Sequence, residues 1–134
     1  MIEALIEQAR KSRANAYAPY SVYHVGAAVL GANGRVYSGC NIENLSYGLT
    51  VCAERNAVAA MIADGCREIQ AVAVVTRDGG TPCGACRQVL LEFAPKPEEV
   101  QVICVGDESR VDYNLAELFP AGFSSQSVKK AEIG

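Results

Sequence analysis

"AVAVVTRDGGTPCGACRQVLLEFAPKPEEVQVICV", residues 71–105, carries the reading of the fold. Its first six residues, "AVAVVT", show no polar alternation, the mark of a strand buried on both faces. "RDGGTP" turns the chain. From Cys83 or Gly84, "CGACRQVLLEFA" reads as a helix stopped by "PKP", and "VQVICV" is a second buried strand. Upstream, an alanine-rich run from Cys52 to about Asp64 predicts another helix, with Gly65 at the C′ position. Before it, "VGAAVLGANGRVYSGCNI" has β-branched residues on both sides of Asn33-Gly34 and predicts a hairpin. Strand, helix, strand, helix, strand after a hairpin describe an α/β sandwich around a mixed sheet.

The flanks add less. "IEALIEQAR" places Ile2, Leu5, Ile6 and Ala9 on one helical face, and Pro19 of "YAPYS" breaks that pattern. "NIENLSYGLT" is a polar, glycine-containing loop leading into the Cys52 segment. "NLAELFPAGF" predicts a short helix closed by Pro120, and about 124–134 is expected to be a polar, mobile tail. Without repeats, low-complexity tracts or linkers, residues 1–134 read as one domain.

Half of the residues are hydrophobic and a fifth charged, ordinary proportions for a soluble globular protein. No apolar stretch approaches the roughly 18 residues that cross a bilayer, so no membrane partner is expected. "MIEALIEQARKSRA" lacks the apolar core of an export signal, which leads to the expectation of a cytoplasmic protein. A formal charge of −3 disfavours a partner held through many phosphates, so no nucleic acid is expected.

Six cysteines are many for a reduced chain of this length, and metal binding or catalysis outranks disulfides. Cys83 and Cys86 stand at C-x-x-C spacing where a helix begins, and Cys52 opens the other helix. If the two helix N-termini meet, three thiolates converge, each favoured by the positive end of a helix dipole. Sulfur ligands suit zinc, and three of them leave a catalytic zinc its open position for water. Glu54, two residues beyond Cys52, would then move protons to and from that water rather than bind the metal.

Duller readings stand beside this one. "CGAC" alone is compatible with a redox pair, and Cys40 as a fourth ligand would close a structural Cys₄ site with Glu54 a plain helix-start acid. Cys40, Cys66 and Cys104 read as buried small residues, and the lone His24 as packed or exposed rather than a ligand.

"NIENLSYGLTVCAERNAV" followed by "TPCGACRQVLLEF" closely resembles the cytidine deaminases of the small, homotetrameric, zinc-dependent type. The similarity takes in "YAPYSVYHVGAAVL" and "LFPAGF" and spans roughly residues 15 to 123. C-x-E followed by P-C-x-x-C is the zinc-deaminase signature, here in its all-cysteine form with Cys52 where many members have histidine. The resemblance implies a three-layer α/β/α sandwich around a mixed five-stranded sheet. It implies one Zn²⁺ per subunit on Cys52, Cys83 and Cys86, with Glu54 as the catalytic proton shuttle.

Residue by residue, Asn41 and Glu43 match the pair that hydrogen-bonds the ribose hydroxyls. Tyr23 stands where the family usually has a phenylalanine packing on the nucleoside, and the Ala53 amide matches a contact to the base carbonyl. Leu45 and Tyr47 match loop positions that reach a neighbouring subunit's site, and Phe123 an aromatic lent across the interface. Arg55 and Arg87 each adjoin a site residue; Arg55 matches the position that hydrogen-bonds ligand sulfurs and offsets their negative charge.

The implied reaction is hydrolytic deamination of free cytidine and deoxycytidine to the uracil nucleosides and ammonia, as in pyrimidine salvage, by a homotetramer with shared sites. Deamination of another aminopyrimidine nucleoside such as blasticidin S would not need the "NIEN" pair. Editing of RNA or single-stranded DNA would need a basic channel. A non-enzymatic zinc module is the reading from a different class.

Overall fold

A computed structural model of the chain describes residues 1–124. Helix α1 (Ile2–Arg13) buries Leu5, Ile6 and Ala9, the face its spacing predicts. Glu3 in its first turn and Arg10, Lys11 and Arg13 in its last complement the helix dipole.

The hairpin joins β1 (Gly26–Gly31) to β2 (Val36–Cys40). Asn33-Gly34 marks its turn, but only Gly34 is left-handed, at φ +82°. The Gly34 amide donates to the Gly31 carbonyl, and the Gly31 amide to the Arg35 carbonyl, each at 2.9 Å. The connection is therefore a type I turn closed by a glycine bulge, not a tight two-residue loop.

Helix α2 (Ala53–Ala63) has Cys52 as its N-cap. It ends in a Schellman motif, in which Gly65 at φ +88° donates to Ile62 and Cys66 donates to Met61. Strand β3 (Ile69–Val75) starts two residues before the apolar run that announces it. Helix α3 (Gly84–Glu92) follows with Cys83 as its N-cap, then β4 (Gln101–Val105).

Strand β5 (Arg110–Asn114) comes from a segment that the residue pattern leaves unassigned. Its two apolar residues alternate, with Val111 exposed and Tyr113 packed against the core, and it pairs antiparallel with β4 at the sheet edge, where Arg110 binds Asp112 and Glu3. Helix α4 (Leu115–Leu118) then opens with a capping box between Asn114 and Glu117.

The five strands lie in the order β2-β1-β3-β4-β5, with β3 and β4 parallel and every other pair antiparallel. Leu5, Ile6 and Ala9 of α1 pack on one face, against Ala28, Ala71, Ala73, Val75 and Ile103. The other face, with Val29, Val72, Val74 and Val102, receives Met61 of α2, Leu90 of α3 and Leu115 of α4. Alternate residues of β3 serve opposite cores, so the unbroken apolar strand builds the middle of an α/β/α sandwich.

A close approach fixes α2 on the sheet. A Cβ at Gly39 of β2 would lie 2.6 Å from the Ala57 nitrogen and 2.8 Å from the Ala53 oxygen. The first turn of α2 therefore rests on bare strand backbone. Among the described residues, no helix is long and apolar enough to cross a membrane. The tail, apart from Ser124, lies outside the described residues.

Candidate active site

The parallel β3–β4 unit places α3 beside α2, so the N-caps Cys52 and Cys83 come together with Cys86 from the first turn of α3. Their sulfurs all lie within 4.8 Å of one another, with Cys52 to Cys83 at 3.8 Å and Cys83 to Cys86 at 3.4 Å. Zinc–sulfur bonds of about 2.3 Å at tetrahedral angles require sulfurs about 3.8 Å apart. The donor set thus fits one zinc ion in both chemistry and spacing. Cys40 is outside the group, so the described residues supply three sulfur ligands and not four.

The sulfurs differ in acidity. A hydrogen bond from Cys86, joined by Arg55 and Cys83, brings the Cys52 thiol down to about 5. Cys86 is pushed up because it donates to Cys52, and burial adds to that. Arg55 Nη2 donates to Cys52 Sγ at 3.5 Å and to the Thr50 carbonyl at 3.4 Å. Its Nε is buried without a partner, so the guanidinium is held behind Cys52 rather than out in solvent.

Glu54, in the first turn of α2, is 4 % exposed. Burial raises its carboxyl above the usual range, and the neighbouring Cys52 charge raises it further. Glu54 lines a cavity of about 260 Å³ together with Cys52, Ala53 and Cys83. That volume lies just below the roughly 300–1,000 Å³ of pockets for drug-sized ligands and suits a smaller molecule.

Tyr23, Asn41 and Glu43 line the same cavity. The Asn41 side chain is a loop staple: Nδ2 donates to the Tyr23 carbonyl at 2.8 Å, and Oδ1 accepts from the Val25 amide at 2.9 Å. Glu43 accepts from the amides of Tyr20 and Ser21, at 2.9 and 3.1 Å, and from the Ser21 hydroxyl. Those bonds hold its carboxyl below the usual range. Bridges from Ile42 tie this loop to Tyr17, before the hairpin, and to Val51, just before α2.

Cys52, Ala53, Glu54, Cys83, Tyr23, Asn41 and Glu43 thus meet at one cavity, with Cys86 and Arg55 against its sulfurs. Leu45, Tyr47 and Phe123 do not line it; they stand 79 %, 72 % and 65 % exposed. Tyr47 borders an adjoining cleft that shares Ser21, Glu43 and Thr50 with the cavity. The Phe123 carbonyl accepts from Gln88 at 2.7 Å.

Two contributions escape the sequence reading. Arg87, known there only as a neighbour of Cys86, donates to the Pro82 carbonyl at 2.7 Å, the Leu118 carbonyl at 2.6 Å and the Thr81 hydroxyl at 2.8 Å. It braces the loop entering Cys83. Thr76 and Gly80, from a stretch readable only as strand end and turn, line the cavity too.

The family model described as "Cytidine and deoxycytidylate deaminase zinc-binding region" matches residues 1–104. A cytidine deaminase of Sporosarcina psychrophila is 42 % identical over 132 residues, covering 97 % of this chain and 96 % of that protein. One from Mycobacterium tuberculosis is 52 % identical over 122 residues, covering 86 % and 84 %. The crystal structure of cytidine deaminase from Burkholderia pseudomallei superposes with a TM-score of 0.85 at 43 % identity, covering 92 % of this chain and 99 % of that one.

Proposed function

The chain belongs to the cytidine and deoxycytidylate deaminase family, and from that premise we propose that it hydrolyses free cytidine and deoxycytidine to uridine and deoxyuridine. Water adds its oxygen at C4 of the pyrimidine, the C4–nitrogen bond breaks, and ammonia leaves. One observation carries the reading: a buried carboxylate, Glu54, shares a cavity with Cys52 and Cys83 of the sulfur cluster.

Cys52, Cys83 and Cys86 would hold a zinc ion, which when bound would supply the Lewis acidity that lowers the pKa of water toward about 7. Glu54 takes the proton from the attacking water, delivers it to ring N3, and then serves the departing amine. Its raised affinity for a proton, caused first by burial, suits it to hold that proton between transfers. Arg55 offsets the net negative charge that three thiolates leave on a divalent ion.

The Ala53 amide, at the start of α2 where no helical carbonyl faces it, meets the base carbonyl oxygen. Asn41 keeps one N–H and Glu43 keeps free lone pairs after their loop bonds, and these take the ribose hydroxyls. Tyr23 supplies the aromatic wall. The exposure of Leu45, Tyr47 and Phe123 supports a homotetramer in which these side chains complete neighbouring sites. The acting unit is a single catalytic domain in the cytoplasm.

The test is the ultraviolet absorbance of cytidine with zinc-replete protein, against a Glu54→Gln control. Conversion to the uridine spectrum by the wild type alone is the expected result. A flat trace from zinc-loaded wild type would refute the proposal.

A further inference from the structure

Tyr23 contributes more than a ring. Its hydroxyl donates to Asp78 Oδ1 at 2.6 Å, across 55 residues of sequence. The same oxygen accepts from the Thr76 hydroxyl at 3.1 Å and the Gly80 amide at 3.2 Å. Thr76 Oγ1 in turn accepts from the amides of Gly79 and Gly80, at 2.8 and 3.1 Å. One carboxylate oxygen therefore organises the turn after β3, and that turn runs directly into Thr81, Pro82 and Cys83.

Two further features fit this contact. A Cβ at Gly80 would stand only 3.0 Å from the Tyr23 hydroxyl and 3.4 Å from Asp78 Oδ1, so a bare backbone leaves room for the pair. The Arg77 guanidinium lies over the Tyr23 ring, 5.2 Å from its centroid. The hydroxyl is anchored at its tip and the ring is covered on one face. The mutual effect on acidity agrees: Asp78 is held low first by the Tyr23 bond, while Tyr23 is raised by burial and then by Asp78.

We infer that Asp78 is a positioning residue: through the Tyr23 hydroxyl it fixes the aromatic wall of the nucleoside cavity and fastens that wall to the loop carrying Cys83. The inference rests on the nucleoside-deaminase reading. The Tyr23 hydroxyl is spent on the protein, not on substrate. A wall held in place binds ground state and transition state alike, so its loss appears in KM rather than in kcat.

Tyr23→Phe removes the donor and Asp78→Ala the acceptor, so each breaks the same bond. Steady-state kinetics on cytidine with zinc-replete wild type, both single variants and the double variant test the assignment. Each single variant should raise KM about fivefold, the yield of one ordinary hydrogen bond, with kcat within about twofold of wild type. The double variant should be no worse than either single one.

Wild-type KM in the single variants would overturn the role of Asp78. So would a rise in Tyr23→Phe alone, which would place the hydroxyl on substrate, or effects that multiply in the double variant. A fall in kcat and melting temperature at constant KM would reduce the pair to scaffold and overturn it equally. A wild type inert toward cytidine would instead overturn the deaminase reading, and this inference with it.

Discussion

Replacing Glu54 by glutamine isolates proton transfer from everything else the site does. The side chain is 4 % exposed, and the amide occupies nearly the same volume, so no cavity opens. Burial already disfavours the ionised carboxylate, whereas a neutral amide carries no such cost. The variant should therefore melt no lower than wild type and keep its zinc on Cys52, Cys83 and Cys86. Activity should behave oppositely. A placed acid–base group contributes roughly 10²–10⁴ in rate, or about 2.7–5.4 kcal/mol of barrier. In the proposed mechanism Glu54 handles both the water and the departing amine, which puts the loss at the upper end. The assay follows cytidine absorbance, with metal content by elemental analysis and melting by calorimetry on the same preparation. Turnover within tenfold of wild type would refute the role of Glu54. A loss accompanied by missing zinc would show that the carboxylate supports the metal instead.

Other residues give sharper structural tests. Arg87→Ala removes three short hydrogen bonds, two to the loop entering Cys83 and one to the end of α4, and should cost about 2–4 kcal/mol in urea unfolding of the zinc-bound protein; a change below about 0.5 kcal/mol would contradict the brace. In metal-free protein, Cys52 should be alkylated with a pH midpoint near 5, because its thiolate is favoured above that pH. Its labelling rate should be flat from about pH 6 upward, where an ordinary thiol is still climbing toward about 8.5, and a midpoint in that ordinary range would disprove the Cys86 and Arg55 contacts. Leu45→Asp combined with Tyr47→Asp places charge on two side chains more than 70 % exposed. It should shift a tetramer to smaller species in gel filtration and lower turnover at least tenfold, and a fully active monomer would sink the shared-site proposal.

What the sequence disclosed follows the range of the interaction. Cys52 and Cys83 are legible because each stands at a helix start with local signals: an alanine-rich run after Cys52, and Pro82 before Cys83. The parallel strands that bring those starts together are legible as unbroken apolar runs. Strand β5 is not, because Val111 and Tyr113 are too few among charged and polar residues to mark a strand, and Arg110–Asn114 owes its shape to pairing with β4. The Asn33-Gly34 signal locates its turn correctly, yet Gly34 alone determines the turn type. Side-chain contacts across long separations leave no pattern at all. Tyr23 with Asp78, Arg87 with Leu118 and Glu43 with Ser21 lie 55, 31 and 22 residues apart.

The cavity combines two kinds of rigidity. Cys52, Glu54, Cys83 and Cys86 sit at helix starts, and Gly39 lets the first turn of α2 rest directly on β2, so backbone packing sets their positions. The recognition wall has no such support, since Tyr23, Asn41 and Glu43 stand on irregular chain outside the named helices and strands. Loop backbone near a cavity must find partners for its polar groups, and here side chains provide them. Asn41 holds Val25, Glu43 holds Tyr20 and Ser21, and Asp78 holds Gly80 while gripping Tyr23. In the proposed site Asn41 and Glu43 bear on substrate directly and Asp78 through Tyr23, and each also fixes a neighbouring loop. Removing one should loosen recognition while leaving the sulfur cluster intact, whereas disturbing the helix starts should cost metal and turnover together. KM and zinc content therefore report on different parts of one cavity, and a recognition-wall variant that lost zinc would show that the two kinds of rigidity are not separable.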